Sequence, residues 1–336
     1  MLCDHLPRTR LAYLPTPLEA TPRLSEALGG PRLLIKRDDR TGLAFGGNKP
    51  RIFEFVIGEA LAQGCDVLIT PAGLQSNHLR EVTAAANKLG LKSVLVVFGN
   101  SEGVEPQGNL LLFHLLGADI RFYPSTLEDA YHDPRMLAYC EEIRAEFVAK
   151  GHKPYLVHFD SDSGPLGSAS HVNAAEEMAA QFAEHGGPPD LVYVPCGGGV
   201  TTSGFALGFK HLGLPTRVVG CSAIRPGDQV RADIVRYGNG AAEKLGLATR
   251  LGPEDFDVLD CTGGGYGVVT PEVSEAIRLV AQSEGLFLDP TYNGKAMAGM
   301  IAQIRSGELV AGQTAVLVHT GGTPALFAVN RDLMAG

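Results

Sequence analysis

Residues Leu191–Leu212 read LVYVPCGGGVTTSGFALGFKHL. Leu191–Pro195 is an apolar run of strand length, Gly197, Gly198 and Gly199 follow it, and from Thr202 to Leu212 apolar residues recur at helical spacing. A strand that passes through a glycine turn into a helix is half of a βαβ unit. Repeated, it builds a parallel sheet with helices on both faces. The rhythm extends in both directions from this stretch. Further strands are expected at Leu33–Lys36, Val67–Thr70, Ser93–Phe98, Ile120–Tyr123, Tyr155–Phe159, Arg217–Ala223, Asp257–Leu259 and Ala315–His319. Helices are expected at Arg51–Gln63, Leu79–Leu89, Pro134–Lys150, His171–His185, Pro271–Ser283 and Gly294–Ile304. The fold class is therefore α/β with mostly parallel sheets. Domain boundaries are expected near Pro50 and again within Asp160–Gly167, whose composition (DSDSGPLG) reads as a turn.

Composition narrows the function. The chain has 336 residues, 45% hydrophobic and 19% charged, which is ordinary for a globular protein of one large or two smaller domains. Lys and Arg number 28 against 37 Asp and Glu, a net charge of −9. With no basic run, binding to nucleic acid or to an anionic membrane surface is not expected. The six cysteines are scattered without a C-x-x-C pair, as in free thiols of a reducing cytoplasm. No segment reads as a signal peptide or a bilayer span.

Ligands of open α/β sheets gather at the carboxyl ends of strands, so the junctions there are the places to search. Cys196–Gly204 (CGGGVTTSG) offers free amides and the positive end of a helix to a phosphate. The third glycine of a dinucleotide fingerprint is missing, and so is the Gly-Lys-Ser/Thr of a P-loop. A tight structural turn explains the glycines equally well. In TGLAFGGNKPR (Thr41–Arg51), Lys49 follows Gly46, Gly47 and Asn48 and precedes Pro50, a helix-start residue. A lysine is usually a surface charge; one introduced by such a turn is a candidate Schiff-base amine for a carbonyl cofactor. In GLQSNHLR (Gly73–Arg80), helix capping accounts for Ser76 or Asn77 but not for Gln75, Ser76, Asn77 and His78 in a row. Facing a pocket, Asn77 can bond a ligand oxygen and Ser76 can move a proton. Two glycine-rich loops, TGGGYG (Thr262–Gly267) and DPTYNGKAMAG (Asp289–Gly299), carry Tyr266 and Tyr292, and Thr320 ends the last strand run. Metal-ligand spacings are missing, and Asp160-Ser161-Asp162 reads as a solvated turn.

Together these motifs resemble the fold type II pyridoxal-phosphate enzymes. The resemblance is to the group that holds D-cysteine desulfhydrase, 1-aminocyclopropane-1-carboxylate deaminase and L-cysteate sulfo-lyase. It runs from LPTPLE at Leu14 to HTGGTPALFA at His319–Ala328, through IKRDD, TGLAFGGNK, EALAQG, QSNH and DPTYNGKAMAG in order. It implies a tryptophan synthase β-like pair of doubly wound domains with pyridoxal 5'-phosphate in the cleft between them. Residues 1–49 and 164–336 would form the large cofactor-binding domain, and 50–163 a small domain carrying the QSNH helix. A homodimer is implied as well.

By the same resemblance, Lys49 carries the Schiff base beside Asn48, Asn77 binds the ring hydroxyl, and Gly197, Gly198, Gly199, Val200 and Thr201 hold the phosphate. Gln75, Ser76, Asn77 and His78 receive the substrate. Tyr266 and Tyr292 flank it and, with Ser76, assist proton transfer. Asn293 and Thr320 are the candidates to face the ring nitrogen. This chain departs from the group at Pro50-Arg51-Ile52, at Val200 and across Ser163–Asn173. His78 and Asn293 stand where the deaminase typically has Gln and Glu. They point to α,β-elimination from a small cysteine-like amino acid, giving pyruvate and ammonia. The cyclopropane deaminase, the cysteate lyase and a non-catalytic cofactor-binding homologue are the alternatives.

Overall fold

The computed structural model of the protein describes residues 2–100, 103–125, 133–329 and 333. Its larger sheet contains strands β1 (Leu18–Ala20), β2 (Arg32–Lys36), β7 (Leu191–Cys196), β8 (Arg217–Ser222), β9 (Phe256–Asp260) and β10 (Thr314–Val318), in the order β1-β2-β10-β7-β8-β9. β1 runs antiparallel to β2 and the other pairs are parallel. The smaller sheet, β3 (Val67–Gly73), β4 (Lys92–Phe98), β5 (Asp119–Tyr123) and β6 (Pro154–Leu156), is parallel in the order β5-β4-β3-β6.

Helices follow the strands: α1 (Pro22–Ala27), α2 (Lys49–Ala62), α3 (Asn77–Leu89), α4 (Gly108–Leu115), α5 (Pro134–Ala149), α6 (Ser163–Gln181), α7 (Val200–His211), α8 (Gly227–Lys244), α9 (Pro271–Glu284) and α10 (Asn293–Ser306). Among the described residues no helix is long and apolar enough to cross a membrane.

Successive strand residues face opposite ways, and both faces are apolar because both are covered. Val192, Val194, Val316 and Val318 pack toward α6, α7 and α8, while Tyr193, Ala315 and Leu317 pack toward α9 and α10. In the small sheet, Leu68, Leu95 and Val97 join the main core together with residues of α2 and α3. Val67, Ile69, Val94 and Val96 form a separate cluster with α5. The α2–α3 layer thus lies between the two sheets, and the first residue of each helix comes from a loop at the seam.

The turn expected at Asp160–Gly167 is helical from Ser163 onward, so α6 begins eight residues before the expected His171. Its glycines serve close packing. A Cβ on Gly164 would lie 2.2 Å from the Phe159 carbonyl oxygen, and one on Gly167 would lie 2.8 Å from Val200 Cγ1. The sequence pattern also left out β1, α1, α4 and α8. The first three are short, and α8 carries Gly238 and Gly240, where a Cβ would meet Leu251 and Pro165.

Candidate active site

A cavity opens where the seam meets the carboxyl ends of both sheets. Its lining takes in Asn48, Lys49, Ser76, Asn77, His78, Gly197, Gly198, Gly199, Val200, Thr201, Tyr266, Tyr292 and Thr320. Most of the residues singled out from sequence therefore converge on one space.

Lys49 is the first residue of α2, with Pro50 behind it. Gly47 precedes it at φ 139, where a Cβ would sit 2.8 Å from the Thr320 carbonyl oxygen and 2.9 Å from Glu81 Oε1. Only glycine lets the lysine loop pass this close to the end of β10. The Asn48 amide donates to that same Thr320 oxygen, and Asn48 Nδ2 donates to Thr201 Oγ1 at 2.7 Å. Further along α2, buried Arg51 is held by Asp38 Oδ1 at 2.8 Å and Glu177 Oε1 at 2.8 Å, so the departure from the family motif is a buried ion cluster. Burial lowers the Lys49 amine below the ordinary lysine range, against the pull of the Glu81 carboxylate. The Lys49 Nζ lies 5.9 Å from the Phe159 ring centroid.

Ser76 caps α3, accepting the Leu79 amide at 3.3 Å. Asn77 Oδ1 accepts from Arg80 Nη1 at 2.7 Å and from Asn109 Nδ2 at 2.9 Å. With its oxygen engaged, Asn77 has its amide N–H groups left to offer a ligand. Arg80 is itself fixed by Asn109 Oδ1 and Glu81. Burial pushes the Glu81 carboxyl up to about 8.

The tautomer of His78 follows from its neighbour. Thr70 Oγ1 donates its single proton to the Val157 oxygen at 3.0 Å, so the 2.9 Å contact with His78 Nε2 must be donated by the ring. Burial pushes His78 down to about 3, and the ring packs edge-on to Phe53 and Phe159. His78 therefore meets the cavity as a neutral ring.

On the other wall, Gly199 at φ 99 turns the chain into α7, so the first amides of that helix face the cavity without intrahelical partners. A Cβ on Gly197 would lie 3.3 Å from Tyr292 Cε1, which puts the tyrosine ring against the glycine loop. Tyr266 and Tyr292 stand edge to face with centroids 6.3 Å apart. The Tyr266 loop is pinned from behind by buried Lys295, whose Nζ donates to Thr262 O and Gly265 O.

Two expected site residues stand apart. Gln75 turns toward the start of α4, accepting the Asn109 amide at 2.9 Å and donating to the Gln107 oxygen at 3.1 Å. It shapes the loop beside Asn77 and does not line the cavity. Asn293 is fully buried behind Thr320: its Oδ1 accepts the Thr320 amide at 2.9 Å, and its Nδ2 donates to Asp289 Oδ1 at 2.6 Å and Gly321 O at 2.8 Å. Thr320 is the member of that pair that reaches the cavity.

The sequence reading missed Arg80 and Asn109, which orient Asn77, and Lys295, which holds the Tyr266 loop. Arg80 carried a signal, lying three residues after Asn77 on one helix face. It also missed His158, Phe159, Asp160 and Tyr237, which line the cavity too.

A family model described as pyridoxal-phosphate dependent enzyme matches residues 9–321 of the chain. The crystal structure of an ACC deaminase homologue is similar with a TM-score of 0.89 and 35% identity, over 99% of this chain and 97% of that one. The processed form of threonine deaminase isoform 2 from Solanum lycopersicum is similar with a TM-score of 0.67 over 96% of this chain and 83% of that one. At 19% identity it speaks to the fold alone.

Proposed function

The chain belongs to the pyridoxal-phosphate dependent enzymes, and on that premise we propose that it is a lyase of the D-cysteine desulfhydrase type. It would eliminate the β-substituent of a small amino acid and release pyruvate and ammonia.

The residues present fit the cofactor. A positive-φ glycine opens α7 with unpaired amides for a phosphate, Asn77 has only donors to spare for a phenolic oxygen, and Lys49 is an amine lowered by burial. When bound, pyridoxal phosphate supplies a carbonyl for the amine and an electron sink for the bond broken at the substrate Cα. Ser76 and the first amides of α3 receive the substrate carboxylate. Lys49, with its lowered affinity for protons, takes the Cα proton. The Ser76 and Tyr292 hydroxyls hold and pass a proton toward the leaving group, while Tyr266 stacks beside them.

The observation that carries elimination over ring opening is the neutral corner at Thr320. The position at which the deaminases typically have Glu is Asn293 here, and it is saturated by Asp289, Gly321 and Thr320. A hydroxyl facing the cavity there would give the ring nitrogen of the cofactor no carboxylate partner. That weaker sink suits a substrate whose own leaving group carries the electrons away. A second reading, opening of a cyclopropane amino acid, is favoured by the 35% identity to the ACC deaminase homologue.

A screen of D- and L-cysteine, β-chloroalanine, D-serine and 1-aminocyclopropane-1-carboxylate for keto-acid release tests both. Elimination predicts pyruvate from D-cysteine and β-chloro-D-alanine, with little product from the cyclopropane. Preference for the cyclopropane overturns the first reading in favour of the second. We propose a homodimer as the assembly, which sedimentation measures.

A further inference from the structure

The charged groups around the cavity bear on which leaving group it accepts. Among the described lining residues, Lys49 is the one amine and Asp160 the one carboxylate, and no arginine is present. The two histidines add no fixed cation. His78 is neutral for the reasons given above, and His158 Nδ1 accepts the Asp160 amide at 3.3 Å, so that nitrogen carries no proton. The rest of the wall near Asp160 is apolar or uncharged: Phe98, Met136, Val157, Phe159 and Tyr237.

Asp160 is an exposed residue of the lining with two partners. Its Oδ1 accepts from Arg236 Nη2 at 2.6 Å and from the Tyr237 hydroxyl at 3.3 Å. Arg236 does not reach the cavity, and it is shared with Asp233 at 2.7 Å, which Arg225 also contacts. The lining therefore includes the carboxylate and not its counter-ion. Of the helix N-termini in the lining, that of α2 is Lys49 itself, those of α3 and α7 are taken up by the carboxylate and phosphate roles proposed above, and that of α10 carries Tyr292 at its cap. α6 begins at Ser163, outside the lining. An anionic side chain entering this space would find no cation besides Lys49, which the cofactor and the Cα proton engage, and one like charge.

We infer that Asp160 is a specificity-determining residue that excludes amino acids with an anionic β-substituent. The substrate class is then a small amino acid whose leaving group is uncharged, such as a thiol, hydroxyl or halide. This rests on the elimination reading and narrows it: cysteine is accepted and its sulfonate counterpart is refused.

The test compares kcat/KM for cysteine, β-chloroalanine and cysteate, each as both enantiomers, in wild type, Asp160→Asn and Arg236→Gln. Taking the ratio of substrates within one variant cancels any loss of folded enzyme. Wild type should favour the neutral substrates by about a hundredfold. Asp160→Asn should narrow that ratio about tenfold by removing the like charge, and Arg236→Gln, which strips the counter-ion, should widen it. Calorimetric binding of alanine and aspartate to the holoenzyme gives a readout independent of turnover and should follow the same order.

Cysteate turned over as well as cysteine, or a ratio unmoved in Asp160→Asn, overturns the inference while leaving a lyase in place. If no substrate releases a keto acid but alanine still outbinds aspartate in an Asp160-dependent way, the elimination reading falls and the charge selection stands. Equal binding of alanine and aspartate overturns the selection whatever the turnover.

Discussion

Asn48 Nδ2 donates to Thr201 Oγ1 at 2.7 Å, joining the residue before Lys49 to the second residue of α7. The lysine loop and the glycine loop come from chain segments 153 residues apart, and this buried bond fixes one against the other. Asn48→Ala leaves the threonine hydroxyl without that donor. The loss of a buried hydrogen bond costs about 1–3 kcal/mol, so cofactor affinity should fall about tenfold or more. Equilibrium dialysis of the cofactor measures it. Undiminished affinity would show that the two loops hold their places separately.

The lysine assignment separates cleanly from its rivals. Lys36 is fully buried and pairs with Glu177, and Lys295 spends its protons on the Thr262 and Gly265 carbonyls. Lys49 alone of the three lines the cavity. Borohydride treatment of the holoenzyme followed by peptide mass spectrometry should find the cofactor on Lys49. A label on Lys36 or Lys295 defeats the assignment.

Stability should fall off on both sides of about pH 5–6 for different reasons. Burial raises Glu81 from 4.5 to about 8, so the folded chain keeps a proton that the unfolded chain releases. The stability this contributes is present below about 4.5 and lost as pH rises through about 8. His78 behaves in the opposite sense. Burial lowers it from 6.5 to about 3, so its contribution is full above 6.5 and lost as pH falls toward 3. In urea unfolding across this range, Glu81→Gln should flatten the alkaline limb and His78→Gln the acid limb. Limbs that persist unchanged in these variants would place the titrating groups elsewhere.

Much of this arrangement was legible because strands covered on both faces announce themselves as apolar runs. Seven of the nine expected strands match observed ones to within two residues at each end; of the exceptions, Val67–Thr70 runs on to Gly73 and Tyr155–Phe159 ends early at Leu156. Glycine misled the reading in one way and guided it in another. At Gly164 and Gly167 it admits a neighbour inside a helix, which composition cannot distinguish from a turn. At Gly47 and Gly199 it takes positive φ beside the cavity, and there the turn reading was sound. Asn293 was misplaced because a residue next to a site tyrosine need not face the same way. At the first residue of α10, its side chain is claimed by Asp289, and Thr320 takes the position facing the cavity. Asp160 is exposed, as the solvated-turn reading expected, but its place in the cavity lining was not legible because its partners Arg236 and Tyr237 lie 76 and 77 residues away.

The proton path is the sharpest test of the catalytic roles. Ser76 is a buried helix cap, and its oxygen accepts the Leu79 amide, so its own proton is free to be donated elsewhere. The Tyr292 ring lies against Gly197 and edge-on to Tyr266, which fixes it beside the phosphate loop. Neither hydroxyl is part of the Asn48–Thr201 link or the Asn77–Arg80 support. Ser76→Ala and Tyr292→Phe should therefore bind cofactor normally, with the alanine weakening the cap by about 1 kcal/mol. If each hydroxyl moves a proton to the leaving group, each variant should lose about a hundredfold in kcat for D-cysteine. The loss should be smaller with β-chloro-D-alanine, because chloride leaves without needing a proton and thiolate benefits from one. Equal losses with both substrates would place the hydroxyls at the Cα proton. Full activity in both variants would remove them from the proton path and leave Lys49 as its sole carrier.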